Sequence, residues 1–234
     1  MKTRLFKQLT LLFVLLVTAT GMAQESCSSY YPINKGVRYE VTTYDKKNNA
    51  LTLTKNEIVA VTDGIPLKAT VHTTVTNLKK DKTTVDANFH ILCSGGKITM
   101  DLNEMLQETM QEQLDGKDAS VAITGTDFEL PNNLEVGQGL PDIKTDIAVK
   151  SGAINMNFHI YTTDRKVIGR ESVTTPAGTF ECLVITQNVD TKMLFAKNTT
   201  TKIWIAEGVG MVKQEDYKSS GKLDEYQMLT AFSN

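Results

Sequence analysis

The chain has 234 residues, with 25 Lys or Arg against 27 Asp or Glu and a formal charge of −2. Lacking a basic excess and long like-charge blocks, it carries no electrostatic footprint for nucleic acid or an anionic membrane surface. Its length suits one large domain whose core does not depend on disulfide staples.

Residues 1–23 have the three parts of an export signal: a basic head (Lys2, Arg4, Lys7), an apolar run over 9–17, and small residues at Gly21 and Ala23. The apolar run is about half the ~20 residues a bilayer crossing requires, so the expectation is a cleaved signal and no integral membrane protein. One mature domain, 24–234, is then exported to the periplasm or outer envelope of a Gram-negative-type bacterium. Removing three of the 25 basic residues leaves it a formal charge of about −5. Cys27 follows Gln24, Glu25 and Ser26, the wrong context for a lipid-modified cysteine. In an oxidising compartment the three cysteines imply one bridge and one spare thiol. The expected bridge is Cys27–Cys93, which would pin the new N-terminus. Cys182 lies in the apolar run Phe180 to Ile185 and reads as a small buried hydrophobe.

After Gly36 the pattern alternates with period two, rich in Val, Ile, Thr and Tyr, as half-buried antiparallel strands require. Val37, Tyr39, Val41 and Thr43 share one face; a polar turn at Lys46 to Asn49 leads to a second strand over 51–61. Leu67, Ala69, Val71, Thr73 and Val75 then form a hairpin with Val85, Ala87, Phe89, Ile91 and Cys93 across a polar loop, 79–82. A four-residue loop there pairs Val71 with Ile91 and His72 with His90. Asp101 as N-cap, Glu104 three residues on, and Leu102, Met105, Leu106, Met110 and Leu114 at helical spacing predict one amphipathic helix ending near Asp115-Gly116. The Gly- and Pro-rich stretch 131–141 reads as the longest loop. Alternation returns at Ile154, Met156, Phe158 and Ile160, and further strands are expected over 166–174, 180–190, 199–206, 209–217 and 222–231. Their short connections force antiparallel neighbours.

The stretch Val173 to Cys182, containing Pro176-Ala177-Gly178-Thr179-Phe180-Glu181-Cys182, and the stretch Thr201 to Lys213, containing Trp204-Ile205-Ala206-Glu207-Gly208-Val209-Gly210, resemble motifs of an exported bacterial family, the TapB-like domain-of-unknown-function group. Tyr30-Tyr31-Pro32 and Gly36 are similar too. The resemblance implies a mainly β fold: a single strongly curved antiparallel sheet, a half-barrel like the outer-membrane lipoprotein carrier proteins, with the one α-helix on its concave side. It implies no catalytic residues. Pro176 and the glycines of these motifs read as turn formers.

The polar residues point to no enzyme chemistry. His72, His90 and His159 lie in the polar phase of strands, without the three or four ligands at defined spacing that a metal site needs. There is no Gly-x-Ser-x-Gly elbow and no phosphate-cradling glycine loop. Catalytic residues, metal ligands and cofactors are therefore all expected to be none. The apolar interior is left: either the helix fills the concavity as core, or it lids a cavity for a hydrophobic small molecule or lipid. In the second case Leu102, Met105, Leu106, Met110, Phe158 and Ile160 would line the site. A sheet edge that adds a strand to an envelope protein partner is the alternative function.

Overall fold

Period-two alternation becomes strand almost throughout. The computed structural model describes residues 29–101, 103, 106, 107, 109, 110, 119–152, 154–192 and 196–234. Among these residues thirteen strands run β1 (Arg38–Asp45), β2 (Ala50–Thr62), β3 (Leu67–Asn77), β4 (Lys82–Ser94), β5 (Lys97–Asp101), β6 (Ala119–Gly125), β7 (Phe128–Pro131), β8 (Ile143–Ser151), β9 (Ile154–Thr175), β10 (Gly178–Lys192), β11 (Ala196–Ala206), β12 (Gly210–Lys218) and β13 (Leu223–Ser233). They form one sheet in the order β6-β8-β9-β10-β11-β12-β13-β1-β2-β3-β4-β5-β7. Every pairing is antiparallel, and β1 beside β13 brings the two ends of the described chain together. The sheet is open, with β6 and β7 at its ends.

The link between β7 and β8 shows how strongly the sheet curls. At its start the Asn132 amide donates to the Gly96 carbonyl (2.8 Å), in the β4–β5 turn. Five residues later the Gly137 amide donates to the Val167 carbonyl of β9 (2.8 Å). Five residues span at most ~18 Å. In a flat sheet β5 and β9, nine places apart in the strand order, would lie about 43 Å apart at ~4.8 Å per strand. The two ends must therefore curl toward each other around a common interior. The main core fills that interior, joining Ile58, Val71, Ile91 and Ile98 of β2–β5 to Val167, Leu183, Ile185 and Ile205 of β9–β11.

Two bulges bend β9. Asp164 and Arg165 together face the single residue Gln187 of β10, with Asp164 in the left-handed region (φ +53°) that a short polar residue tolerates. Ile168 is a second extra residue, turned outward at 44% exposed. The first bulge shifts the alternation by one, so that Arg165 and Val167, rather than Lys166, point inward. What reads in the sequence as two strands, around Ile160 and around 166–174, is thus one bent strand.

The fold corrects the expected architecture. The described elements are all strands, with no helix among them. Helical backbone occurs, among the described residues between β5 and β6, only at Asn103, Leu106, Gln107, Thr109 and Met110. The interior is packed instead by the β7–β8 link, read from the sequence as loop: Leu134 and Leu140 are 4% and 8% exposed in the main core. Residues 137–140 continue the β8 ladder along β9, with Val167 donating to Gln138 and Leu140 to Arg165, both through backbone. A second correction concerns the β3–β4 hairpin. Val71 pairs with Phe89 and His72 with Asn88, because the loop closes on Asn77 and Lys82 and a bulge follows at Val75/Thr76. His72 contacts Asp86 (3.5 Å) and His90 contacts Thr70 (3.3 Å), so the two histidines do not meet. The expected export signal, residues 1–23, lies outside the described residues.

If the β7–β8 link is core, Leu134→Ala should cost about 2–5 kcal/mol of unfolding free energy. Val136→Ala, at a position 55% exposed, should stay within about 0.5 kcal/mol. Urea denaturation of both variants measures the contrast.

Candidate binding site

Of the six residues expected to line a hydrophobic site, the structure brings three together. Met110, Phe158 and Ile160 pack with Ile123 and Met156 against the buried Val121, Ile147 and Val149. Strand register causes this: Ile147 faces both Ile123 and Phe158, and Val149 faces both Val121 and Met156, which puts one apolar row on the inner side of β6, β8 and β9. Leu106 is half-buried, and Leu102 and Met105 lie outside the described residues. The opposite side of this wall is polar: the Tyr161 hydroxyl donates to Asp146 (2.7 Å) and His159 stacks on Tyr161 and meets Asp190 at 3.1 Å.

A second feature was not anticipated. An open cleft of about 390 Å³ lies at the end of β9–β11, with Tyr30, Phe180, Leu183, Ile205 and Ala206 as its apolar lining and Arg170, Thr179, Glu181 and Glu207 as its polar one. The three stretches that carry the family likeness meet there. The N-terminal stretch docks on the β11–β12 turn, where the Gly208 amide donates to the Ser29 carbonyl (2.9 Å) and the Tyr31 ring lies so close to Gly210 that a Cβ there would sit 2.6 Å from it. Gly210, at φ +91°, is therefore required twice, by conformation and by contact. Burial pushes the Tyr31 hydroxyl up to about 12, with a hydrogen bond from the Met211 backbone opposing it. The Tyr30 hydroxyl is also held above its ordinary value, chiefly by burial; it is bonded to the Leu134 backbone and feels Glu207 and Arg170. In the sequence the two C-terminal stretches read as turn chemistry and the N-terminal one only as part of the family likeness, with no signal that folding would bring them to one cleft.

The reverse face of the same strands carries a separate apolar cluster of Cys182, Val184, Trp204, Ala206 and Val212. Trp204 Nε1 donates to Glu171 (2.8 Å), and the Lys213 ammonium lies 4.7 Å from the indole centre and 2.7 Å from Glu215. Cys182 is free and 2% exposed, as its apolar surroundings in the sequence suggested. Burial, with Glu181 and Glu171 nearby, pushes its thiol up to about 11. Cys93 is also buried, and it is disulfide-bonded; Cys27, its expected partner, lies outside the described residues. At pH 8 a thiol of this kind is only about 0.1% thiolate. Native protein should therefore resist a thiol-specific disulfide reagent and react with one equivalent only after unfolding; fast labelling in the native state would contradict this environment.

Further along the inner face, Asp216 of β12 stands directly opposite Glu225 of β13. Asp216 accepts from Thr201 (2.6 Å) and from Gln214 (3.1 Å). Glu225 is held above the usual carboxylate range by burial and then by Asp216, with Lys197 opposing and Asp224 adding to the rise. A carboxyl raised in the folded state binds more protons there than in the unfolded chain, so stability falls as pH rises through that window. Glu225→Gln should therefore be more stable than the parent at pH 7, and the gain should vanish as pH falls toward 4, measured by urea midpoints across pH.

Comparison with known proteins places this fold. The DUF3108-like family matches residues 34–229. A "putative exported protein with YmcC-like fold" from Bacteroides fragilis is 18% identical at a TM-score of 0.71, over 89% of this chain and all of the other. A "putative lipoprotein" from Parabacteroides distasonis is 20% identical at 0.69, with the same coverage. At these identities the likeness is one of fold. No curated protein matches the chain.

Proposed function

We propose, from the premise that this chain belongs to the DUF3108-like family, that it is a non-catalytic cell-envelope protein which binds a hydrophobic or lipid-like ligand on the inner wall of β6, β8 and β9. Its structural neighbours are named "putative exported protein" and "putative lipoprotein", which supports the envelope as its place of work.

The observation that carries the reading is the apolar row itself. Elsewhere the inner face is closed core, where Ile58, Val71, Ile91 and Ile185 are 0–1% exposed. On the wall, Ile123, Met156, Phe158, Ile160 and Met110 remain only partly buried. Partly exposed apolar side chains on one concave surface are what a greasy ligand covers, and methionines adapt such a surface to more than one shape. The non-catalytic part of the reading rests on the side chains that could do chemistry. Cys182 is buried and held as the thiol, His72 and His159 meet carboxylates on exposed strand faces, and His90 meets a threonine hydroxyl.

Native mass spectrometry of the protein purified gently from its own envelope tests this. A co-purifying lipid-sized mass that is lost in Phe158→Asp is the expected result; a clean apo mass in the unsubstituted protein would contradict it.

A further inference from the structure

We propose that the cleft at the end of β9–β11 is a binding site for a small zwitterion with an apolar side chain, of the class of a hydrophobic α-amino acid or a short peptide with free termini. This site is separate from the β6–β8–β9 wall and stands or falls independently of it.

The cleft combines a greasy floor with uncompensated charge of both signs. Leu183 and Ile205 of the floor are 3% and 2% exposed, and Tyr30 adds an aromatic side. Around this floor stand one guanidinium, Arg170, and two carboxylates, Glu181 and Glu207. Elsewhere on the surface neighbouring opposite charges close into pairs, such as Arg38 with Glu57 at 2.8 Å and Lys213 with Glu215 at 2.7 Å. Among the described ion pairs none involves Arg170, Glu181 or Glu207.

Backbone geometry brings these three charges to one cleft. The bulge at Ile168 returns Arg170 to the inner side, directly opposite Leu183. Glu181 shares that side two residues before Leu183, and Glu207 sits in the β11–β12 turn, past the end of β11. Tyr30, itself 3% exposed, feels both Glu207 and Arg170, so charges of both signs bear on one buried hydroxyl.

Ligand chemistry follows from this arrangement. A guanidinium fork suits a carboxylate, and a carboxylate pair suits an ammonium. The floor accepts an aliphatic or aromatic side chain between them. At about 390 Å³ the space is at the lower end of the ~300–1,000 Å³ of small-ligand sites, which suits a single residue or a dipeptide. A fatty acid would satisfy Arg170 and leave both carboxylates facing hydrocarbon, which is unfavourable.

Isothermal titration with L-leucyl-L-leucine and L-phenylalanine tests the assignment, with the N-acetyl and C-terminal amide forms of each as controls. The expected result is saturable binding of at least one free zwitterion, weakened about ten-fold or more by either blocking group. Arg170→Gln should remove the penalty for amidation, and Glu181→Gln with Glu207→Gln should remove the penalty for acetylation. All three residues are exposed, so these variants should keep their thermal midpoint. No saturable binding of either probe up to about 10 mM, or equal binding of free and blocked forms, would overturn the proposal. Phe158→Asp should leave zwitterion binding unchanged, which separates this site from the apolar wall.

Discussion

Everything in this molecule depends on how the open sheet of thirteen described strands buries its inner face. A flat sheet of this width would leave the Val and Ile of its inner face in water. Curling removes that surface from water, and at about 25 cal/mol per Å² the gain is the main favourable term in the fold. The β7–β8 link makes the curl obligatory, because its short span ties the β4–β5 turn to the middle of β9. Arg165 completes the tie. Its Nη1 donates to the Pro141 carbonyl at 2.7 Å and its Nε to Gln187 at 3.3 Å, while the guanidinium lies 5.0 Å from the centre of the Phe128 ring. Burial pulls the Arg165 pKa down, opposed by Asp142, yet an arginine stays charged. Holding a charge at 3% exposure makes sense only if its donors fix the position of the link.

The same curl divides the inner face into regions of different character. Where the two halves approach, Val71, Ile91, Val167 and Ile185 are at most 1% exposed. Beyond that contact, β6, β8 and the first part of β9 extend as an apolar wall. At the opposite end of β9, the strand has been turned twice by bulges, and its inward position is taken by Arg170 rather than by an aliphatic residue. One long strand thus contributes greasy residues to one surface and a cation to another. The binding proposed above needs little more than surfaces of this kind held apart.

Much of this was legible in the residues. Strands such as β1, β3, β4 and β12 follow directly from alternation, and the β3–β4 hairpin keeps Val71, Ile91 and Cys93 on one buried side although its register differs by a bulge. Bulges are the reason the rest was harder. A single extra residue at Asp164 inverts the alternation, so Arg165 looks solvated in sequence and is buried in space. Leu134 and Leu140 sit in a Gly- and Pro-rich stretch with no period, and their burial is decided by what lies opposite, which no local pattern records. The helical spacing of Leu102 to Leu114 predicted an element that is not among the described ones, and of its apolar face Met110 packs against the inner wall of β6, β8 and β9. The cleft was invisible for the same reason as the link: its walls come from residues 30, 170, 180 and 207, joined only by the curl.

A distance across the opening tests the curl most directly. Spin labels on Ser94→Cys and Lys166→Cys, both at exposed positions, report the separation of the β4–β5 turn from β9 by pulsed dipolar spectroscopy. The curled sheet predicts a narrow distribution centred below about 25 Å, given a link that reaches at most ~18 Å plus the label arms. A distribution centred near or beyond about 40 Å, the spacing of a flat sheet, would contradict it.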